Sequence, residues 1–209
     1  MLTTIGYKAA ACIICVEKYI GALSLSSIAI IIGSTRPNRI GRQVAEWVKS
    51  VLPASDELSF ELIDLADWNL PLLDEPVMAA RGSYANEHTK AWSEKIARYD
   101  GFIFVTPQYN WGYPASLKNA LDYLYAEWNG KPAVIISYGY RGGGKAAAQL
   151  SQVLEGLRMR PVETMPAITT GDEMRGENSM LKSAENDLEP YRTVVQSAAQ
   201  ELSATLNGV

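Results

Sequence analysis

Histidine, cysteine and long apolar runs are scarce in this chain. Among its 209 residues there is one His and there are two Cys. The cysteines, Cys12 and Cys15, stand as C-x-x-C, a spacing used by thiol redox sites and by halves of zinc sites. With no second cysteine pair, and with His88 far away in sequence, a metal centre lacks its ligands and none is expected. A working dithiol follows a strand at a helix start, whereas these two precede any recognisable fold element and read as reduced, inert thiols. No apolar run reaches the roughly 18–20 residues that span a bilayer, so a soluble protein is expected. Residues 9–16 resemble a short signal h-region behind Lys8, but Glu17 and Lys18 follow at once and the cleavage pattern is poor. Arginine is absent before Arg36, which argues against a mitochondrial presequence, and a cytoplasmic location is expected. Positive charge is not in excess either. A net charge of -4 argues against a general nucleic-acid or anionic-membrane surface and leaves a small molecule as the expected partner.

What the chain does have is an ordinary globular balance, 47% hydrophobic and 20% charged residues, in a length that suits one domain with a sizeable core. The expected organisation is an N-terminal extension over 1–27 and a single domain over 28–209. From Ile28 onward, short apolar runs alternate with longer helical patterns, as in a parallel sheet with crossover helices. Strands are predicted over 28–32, 59–65, 101–105, 133–137 and, weakly, 161–164 with the apolar positions that follow. Helices are predicted over 40–51, 85–99, 114–127, 145–158 and 187–206, with Pro190 suited to a first turn, and a polar excursion over 171–179. Trp47 and Trp92 fall at core spacing, Trp128 at a possible dimer contact, and His88 on a solvated helix face. The fold class is therefore α/β: a doubly wound, five-stranded parallel sheet in three α/β/α layers.

In such a sheet the loops after strands one, three and four emerge at one edge, where open α/β sheets bind ligands. The first, Gly33-Ser34-Thr35-Arg36-Pro37-Asn38-Arg39-Ile40-Gly41-Arg42, brings hydroxyls, backbone N–H groups and three arginines to a helix start and suits a phosphate dianion. The second, Pro107-Gln108-Tyr109-Asn110-Trp111-Gly112-Tyr113, supplies amides and aromatic faces for a heteroaromatic ring, or an aromatic patch between subunits. The third, Ser137-Tyr138-Gly139-Tyr140-Arg141-Gly142-Gly143-Gly144-Lys145, lets backbone approach a ligand closely. It has nearly the spacing of a P-loop, but Ala146 stands where a hydroxyl would hold magnesium, so nucleoside-triphosphate chemistry is not expected.

Taken together and in this order, Gly-Ser-Thr-Arg-Pro-Asn-Arg-Ile-Gly, Pro-Gln-Tyr-Asn-Trp-Gly and Ser-Tyr-Gly-Tyr-Arg-Gly-Gly resemble the NAD(P)H-dependent FMN reductase family, the flavodoxin-like quinone and azo-dye reductases. The resemblance runs from about Ile28 to Leu157 and more loosely to the end. It implies that Ser34, Arg36, Arg39, Ile40 and Gly41 hold the FMN phosphate. Many relatives have a second serine where this chain has Arg39 or Ile40. It implies too that Pro107, Gln108, Tyr109 and Asn110 line the isoalloxazine, with Trp111 and Gly112 shaping the loop. Tyr138, Gly139, Arg141, Gly142 and Gly143 would close the other side.

The implied activity is hydride transfer from NAD(P)H, the co-substrate, to FMN and then to a quinone, free flavin or azo acceptor by a ping-pong mechanism, in a homodimer. Flavin carries the redox chemistry, so no catalytic side chain is assigned. Third-loop N–H groups with Arg141 are the candidates for stabilising reduced flavin, and Tyr109 and Tyr140 are possible proton donors or packing residues. The competing readings are a flavin-binding electron carrier or redox-sensing interaction protein, and a non-flavin module for another phosphorylated heterocycle.

Overall fold

The computed structural model describes residues 25–53 and 57–208, so most of the expected extension, with Cys12 and Cys15, lies outside the described residues. Strand β1 (Ser26–Ile32) begins two residues ahead of the expected domain start, and its Ser26 N–H bonds the Glu57 carbonyl at 2.8 Å. Its five apolar residues in a row leave no face for water, which dictates a central strand covered on both sides. It pairs in parallel with β2 (Leu58–Asp64) on one side and β3 (Gly101–Pro107) on the other. Strand β4 (Pro132–Gly139) follows β3, also in parallel, and with the short β5 (Arg160–Pro161) the sheet order is β2-β1-β3-β4-β5.

Side-chain alternation along the strands divides the core. Ile28, Ile30, Ile32, Ile103 and Val105 face Val44 and Val48 of helix α1 (Gly41–Val51), together with the C-terminal helix. Ala29, Ile31, Phe102 and Phe104 face the other layer, where α3 (Glu87–Ala97) contributes Trp92 and Ile96, α4 (Ala115–Asp122) contributes Leu117 and Leu121, and α5 (Gly144–Gly156) contributes Leu150 and Leu154. A one-turn helix, α2 (Leu65–Trp68), capped by the Asp64 carboxylate, interrupts the loop expected after β2.

Several expectations need correction. Helix α4 stops at Asp122 instead of running to 127, because the chain turns back to bury Trp128. That ring sits 4.9 Å from Phe102, 0% exposed, and its Nε1 donates to the Leu121 carbonyl at 3.2 Å; it belongs to the core and not to a surface contact. The fifth strand is split into β5 (Arg160–Pro161) and β6 (Ala167–Thr169), both beside β4. Pro161 and Pro166 have no N–H to donate, so a continuous ladder cannot form through them. The last helix is likewise broken into α6 (Ala184–Leu188), a 3₁₀ turn over Glu189–Tyr191 with Pro190 in its first turn, and α7 (Arg192–Leu206). His88 is only half-exposed, with Nε2 2.9 Å from Asp74 Oδ1.

Candidate functional site

The first loop leaves β1 at Gly33, whose N–H still bonds the Val105 carbonyl at 2.9 Å. Ser34 is wholly buried; its Oγ lies 2.7 Å from the Tyr109 hydroxyl and 3.3 Å from the Arg36 N–H, so it ties the first loop to the second. The Arg36 guanidinium lies 5.7 Å from the centre of the Tyr109 ring. Arg39 is turned toward β2 and meets Asp64 Oδ2 at 2.6 Å. Gly41 opens α1 against β4: a Cβ there would stand 2.7 Å from the Tyr138 hydroxyl oxygen, so only glycine lets the helix start so close to that group.

The second loop is a two-residue hairpin turn. Tyr109 and Gly112 exchange backbone hydrogen bonds of 2.8 and 2.9 Å, and both central residues, Asn110 (φ 47°) and Trp111 (φ 74°), are left-handed. Asn tolerates that conformation. For Trp it is strained, by about 1–3 kcal/mol, and the ring is held outward, 64% exposed, with Lys145 Nζ 2.9 Å from its centre. Gln108 has a double role. Its Oε1 accepts the Lys145 and Ala146 N–H groups at 3.1 and 3.3 Å, capping α5 where Gly143 has no side chain to do so. The amide nitrogen is thereby left as a donor with no hydrogen-bond partner among the described residues.

In the third loop Gly143 has φ +80°, and a Cβ on it would press to 2.9 Å from Ser137 Cβ; the turn is closed by Ser137 Oγ donating to the Gly142 carbonyl at 2.7 Å. Tyr138 points back under the loop, 4% exposed, with no partner for its hydroxyl. Burial pushes its phenol well above the ordinary range, so it stays protonated. Tyr140 projects outward and donates to Asp172. Beyond β6, Thr170 is buried with its N–H 3.0 Å from the Gly139 carbonyl, and Arg175 NH2 donates to Thr170 Oγ1 at 3.2 Å.

Between these loops opens a cleft of about 200 Å³. Of the residues singled out in the sequence, Arg36, Arg39 and Ile40 line it from the first loop, Pro107, Gln108 and Tyr109 from the second, and Tyr138 and Gly139 from the third. Ser34, Gly41, Gly112, Gly142 and Gly143 do not line it. Asn110, Trp111 and Arg141 stand away from it. Tyr140, Thr170 and Arg175 also line the cleft. In the sequence Tyr140 stands in the third loop as a possible proton donor or packing residue, Arg175 in the polar excursion over 171–179, and Thr170 outside any motif. Two buried polar atoms in the wall have no partner, Tyr138 Oη and Arg39 Nε. Such orphaned groups are unfavourable unless something occupies the space beside them. Arginines, an amide donor and flat rings around one narrow cleft suit an anionic ligand with a planar heterocycle. Among the described residues no group of three or more His, Cys, Asp or Glu could hold a metal, and no helix is long and apolar enough to cross a membrane.

Known proteins resemble this chain in sequence and in fold. The model of the NADPH-dependent FMN reductase family matches residues 26–173. An NAD(P)H-dependent FMN reductase of Schizosaccharomyces pombe is 53% identical over 144 residues, covering 68% of this chain and 72% of that protein. A quinone reductase of Pseudomonas putida is 34% identical over 152 residues, covering 69% of this chain and 77% of its own. Among solved structures, the flavoenzyme NAD(P)H:(acceptor) oxidoreductase FerB from Paracoccus denitrificans superimposes with a TM-score of 0.67 at 21% identity, over 86% of this chain and 98% of that one, a likeness of fold. On the family match and the S. pombe relative, this chain belongs to the NADPH-dependent FMN reductase family, whose members are oxidoreductases of flavodoxin-like fold.

Proposed function

We propose that this protein binds FMN in the cleft and uses it to carry electrons from NAD(P)H to a quinone-type small molecule in two half-reactions at one site. The observation that carries the reading is the pair of buried, unpartnered polar atoms in the cleft wall, Tyr138 Oη and Arg39 Nε, beside the Arg36 guanidinium, which has no carboxylate partner among the described residues. A phosphate placed there gives Tyr138 Oη and Arg39 Nε an acceptor and Arg36 a counter-charge.

When bound, FMN supplies the hydride and electron chemistry, and the chain supplies its holding and its electrostatics. Arg36 and the first-loop backbone hold the phosphate, helped by the positive end of α1. Pro107 and Tyr109 form a flat wall, Gly139 leaves room for a planar ring to lie close to backbone, and the Gln108 amide nitrogen offers it a hydrogen bond. Because its oxygen is committed to α5, that amide is oriented before any ligand arrives, which reduces the ordering that binding requires. The acceptor class rests on the relatives named as quinone reductases.

We further propose that the functional domain starts with β1, and that the protein acts in the cytoplasm as a homodimer. The dimer reading is supported by the exposed Leu72, Leu73, Val77 and Met78. Light scattering tests it, and a fully active monomer would overturn it.

A visible spectrum of the FMN-reconstituted protein, recorded before and after anaerobic NADPH or NADH and again after benzoquinone, tests the main reading. Bleaching by nicotinamide and recovery with quinone is the expected result. Bound flavin that stays oxidised would point to an electron carrier, and a protein that retains no flavin would overturn the cofactor assignment.

A further inference from the structure

The charges around the cleft are distributed differently from what the arginine-rich first loop suggests. Arg39 is neutralised by Asp64, whose side chain is 2% exposed, at 2.6 Å. Arg42 is shared among Asp64, Asp67 and Glu46 at 3.2, 3.4 and 3.7 Å. That leaves two cleft-lining guanidinium groups with no carboxylate partner among the described residues: Arg36 and Arg175.

Arg175 is held in place by its surroundings. Its NH1 donates to the Ser179 carbonyl at 2.9 Å and its NH2 to Thr170 Oγ1 at 3.2 Å. The segment that carries it is closed on itself, with Gly176 N–H to the Met180 carbonyl and Lys182 N–H to the Met174 carbonyl, both 2.9 Å. It is fastened to α1 by Gln43, which bonds the Leu181 carbonyl at 3.0 Å and the Leu181 N–H at 2.9 Å. Tyr140, through Asp172, fixes the same segment to the third loop. A long cation fixed at the wall of a cleft by a buried threonine and by main chain, and given no carboxylate, is organised to meet an anion from outside the chain.

We propose that Arg36 and Arg175 form a clamp for a phosphate monoester, with the unpartnered Tyr138 hydroxyl donating to the same group. The charges match, because a phosphate monoester carries about -1.5 to -2 at neutral pH and the two free guanidinium groups carry the opposite. Arg175 lies two residues beyond the stretch that the family model matches, in the segment after β6. The inference rests on the reading of the cleft as an FMN site. It assigns the phosphate a second arm, and the same chemistry would also fit the 2′-phosphate of NADPH.

The test is fluorescence titration of the apoprotein with FMN and, in parallel, with riboflavin, which has the ring and no phosphate. For Arg175→Gln we expect FMN to dissociate about 10- to 100-fold more readily while riboflavin binding stays within twofold, the size of lost charge-assisted hydrogen bonds. Arg175→Lys should recover part of the loss. Unchanged FMN binding together with a KM raised for NADPH and not for NADH would assign the clamp to the nicotinamide's phosphate. Equal losses for FMN and riboflavin, or no change with any ligand, would overturn it. If Arg175→Gln does not fold, Thr170→Val removes the hydroxyl that orients the guanidinium and reads the same FMN-to-riboflavin ratio. A wild-type protein that binds neither flavin would remove the underlying cofactor assignment, whereas tight wild-type binding of FMN with an indifferent Arg175 would remove the clamp alone.

Discussion

Trp92 and Trp128, beneath the sheet, and Tyr138, at its carboxyl edge, are all almost fully buried aromatic residues, yet their polar atoms are treated differently. Trp92 Nε1 donates to the Ala120 carbonyl at 2.9 Å and Trp128 Nε1 to that of Leu121, so each indole is anchored to the last turns of α4. Their rings pack edge-on with Trp68, with Phe102 and with each other at centroid distances of 4.8, 4.9 and 6.5 Å. Tyr138 has a hydroxyl with nothing to bond. The difference teaches that burial of an aromatic residue does not distinguish packing from binding in this fold. For these three the partner of the polar atom does: the two paired indoles are anchored inside the core, whereas the unpaired hydroxyl of Tyr138 stands in the cleft wall beside Arg36 and Arg39, unlike the unpaired Nε1 of Trp47, which lies in the core away from that cleft.

The comparison is broken most forcefully from the core side. Trp128→Ala removes a fully buried indole and its hydrogen bond from a site hemmed in by Phe102, Phe104 and Trp92. We expect a loss of about 3–5 kcal/mol in urea unfolding, with FMN affinity unchanged in whatever fraction remains folded. The cleft side should respond in the opposite sense. Tyr138→Phe removes a hydroxyl that has no partner in the fold, so stability should stay within about 1 kcal/mol of the parent or rise, while FMN affinity falls by about tenfold in fluorescence titration. A Tyr138→Phe protein that loses stability and keeps its flavin would erase the distinction between the two regions.

The same contrast explains what could be read without coordinates. The central strands were legible because five apolar residues in succession at 28–32 admit no other placement, and the doubly wound order followed from their alternation with helices. The cleft was legible on three sides because hydroxyls and arginines after β1, amides and aromatic rings after β3 and glycines after β4 all fall at the carboxyl edge of a parallel sheet. Trp128 was misjudged because sequence spacing records helical phase but not where a helix ends, and tertiary burial of its indole ends α4 early. The fifth strand was read as one run, whereas Pro161 and Pro166 divide its hydrogen bonding between two short segments. Arg175 was invisible as a site residue, since what makes it one is the neutralisation of Arg39 and Arg42 by acids distant in sequence, and charge pairing at long range leaves no local pattern.

Gln108 joins the two kinds of behaviour and offers an intermediate test. Its oxygen satisfies the fold and its nitrogen faces no partner. Gln108→Ala should lower stability by about 1 kcal/mol through the lost cap of α5 and weaken flavin binding as well. Gln108→Glu keeps the capping oxygen and replaces the donor by an acceptor, so it should restore stability and not affinity. Recovery of both would assign the amide nitrogen no part in binding.

The smallest expected effect belongs to Tyr99, an aromatic residue whose hydroxyl is paired with a charged group. Tyr99 packs on Phe102 and donates to Glu61, which also meets Lys95 Nζ at 2.6 Å. The hydrogen bond from Lys95, followed by that from Tyr99, holds the Glu61 carboxyl below its ordinary value of 4.5. A carboxyl depressed in the folded state binds fewer protons than in the unfolded chain, so its stabilisation is complete above that value and is lost as pH falls through the folded one. Glu61→Gln keeps the shape and an acceptor for Tyr99 but removes the charge. Measured by urea unfolding across pH, the parent should exceed the variant at neutral pH by no more than about 1 kcal/mol, because the Glu61 side chain is 55% exposed and solvent screens the pair. The gap should begin to close as pH falls to 4.5 and vanish in stronger acid. A gap that persists unchanged into acid would place the role of Glu61 in packing against the Tyr99 ring and not in its charge, and would leave hydrogen-bond satisfaction, without electrostatics, as what separates the core aromatics from those of the cleft.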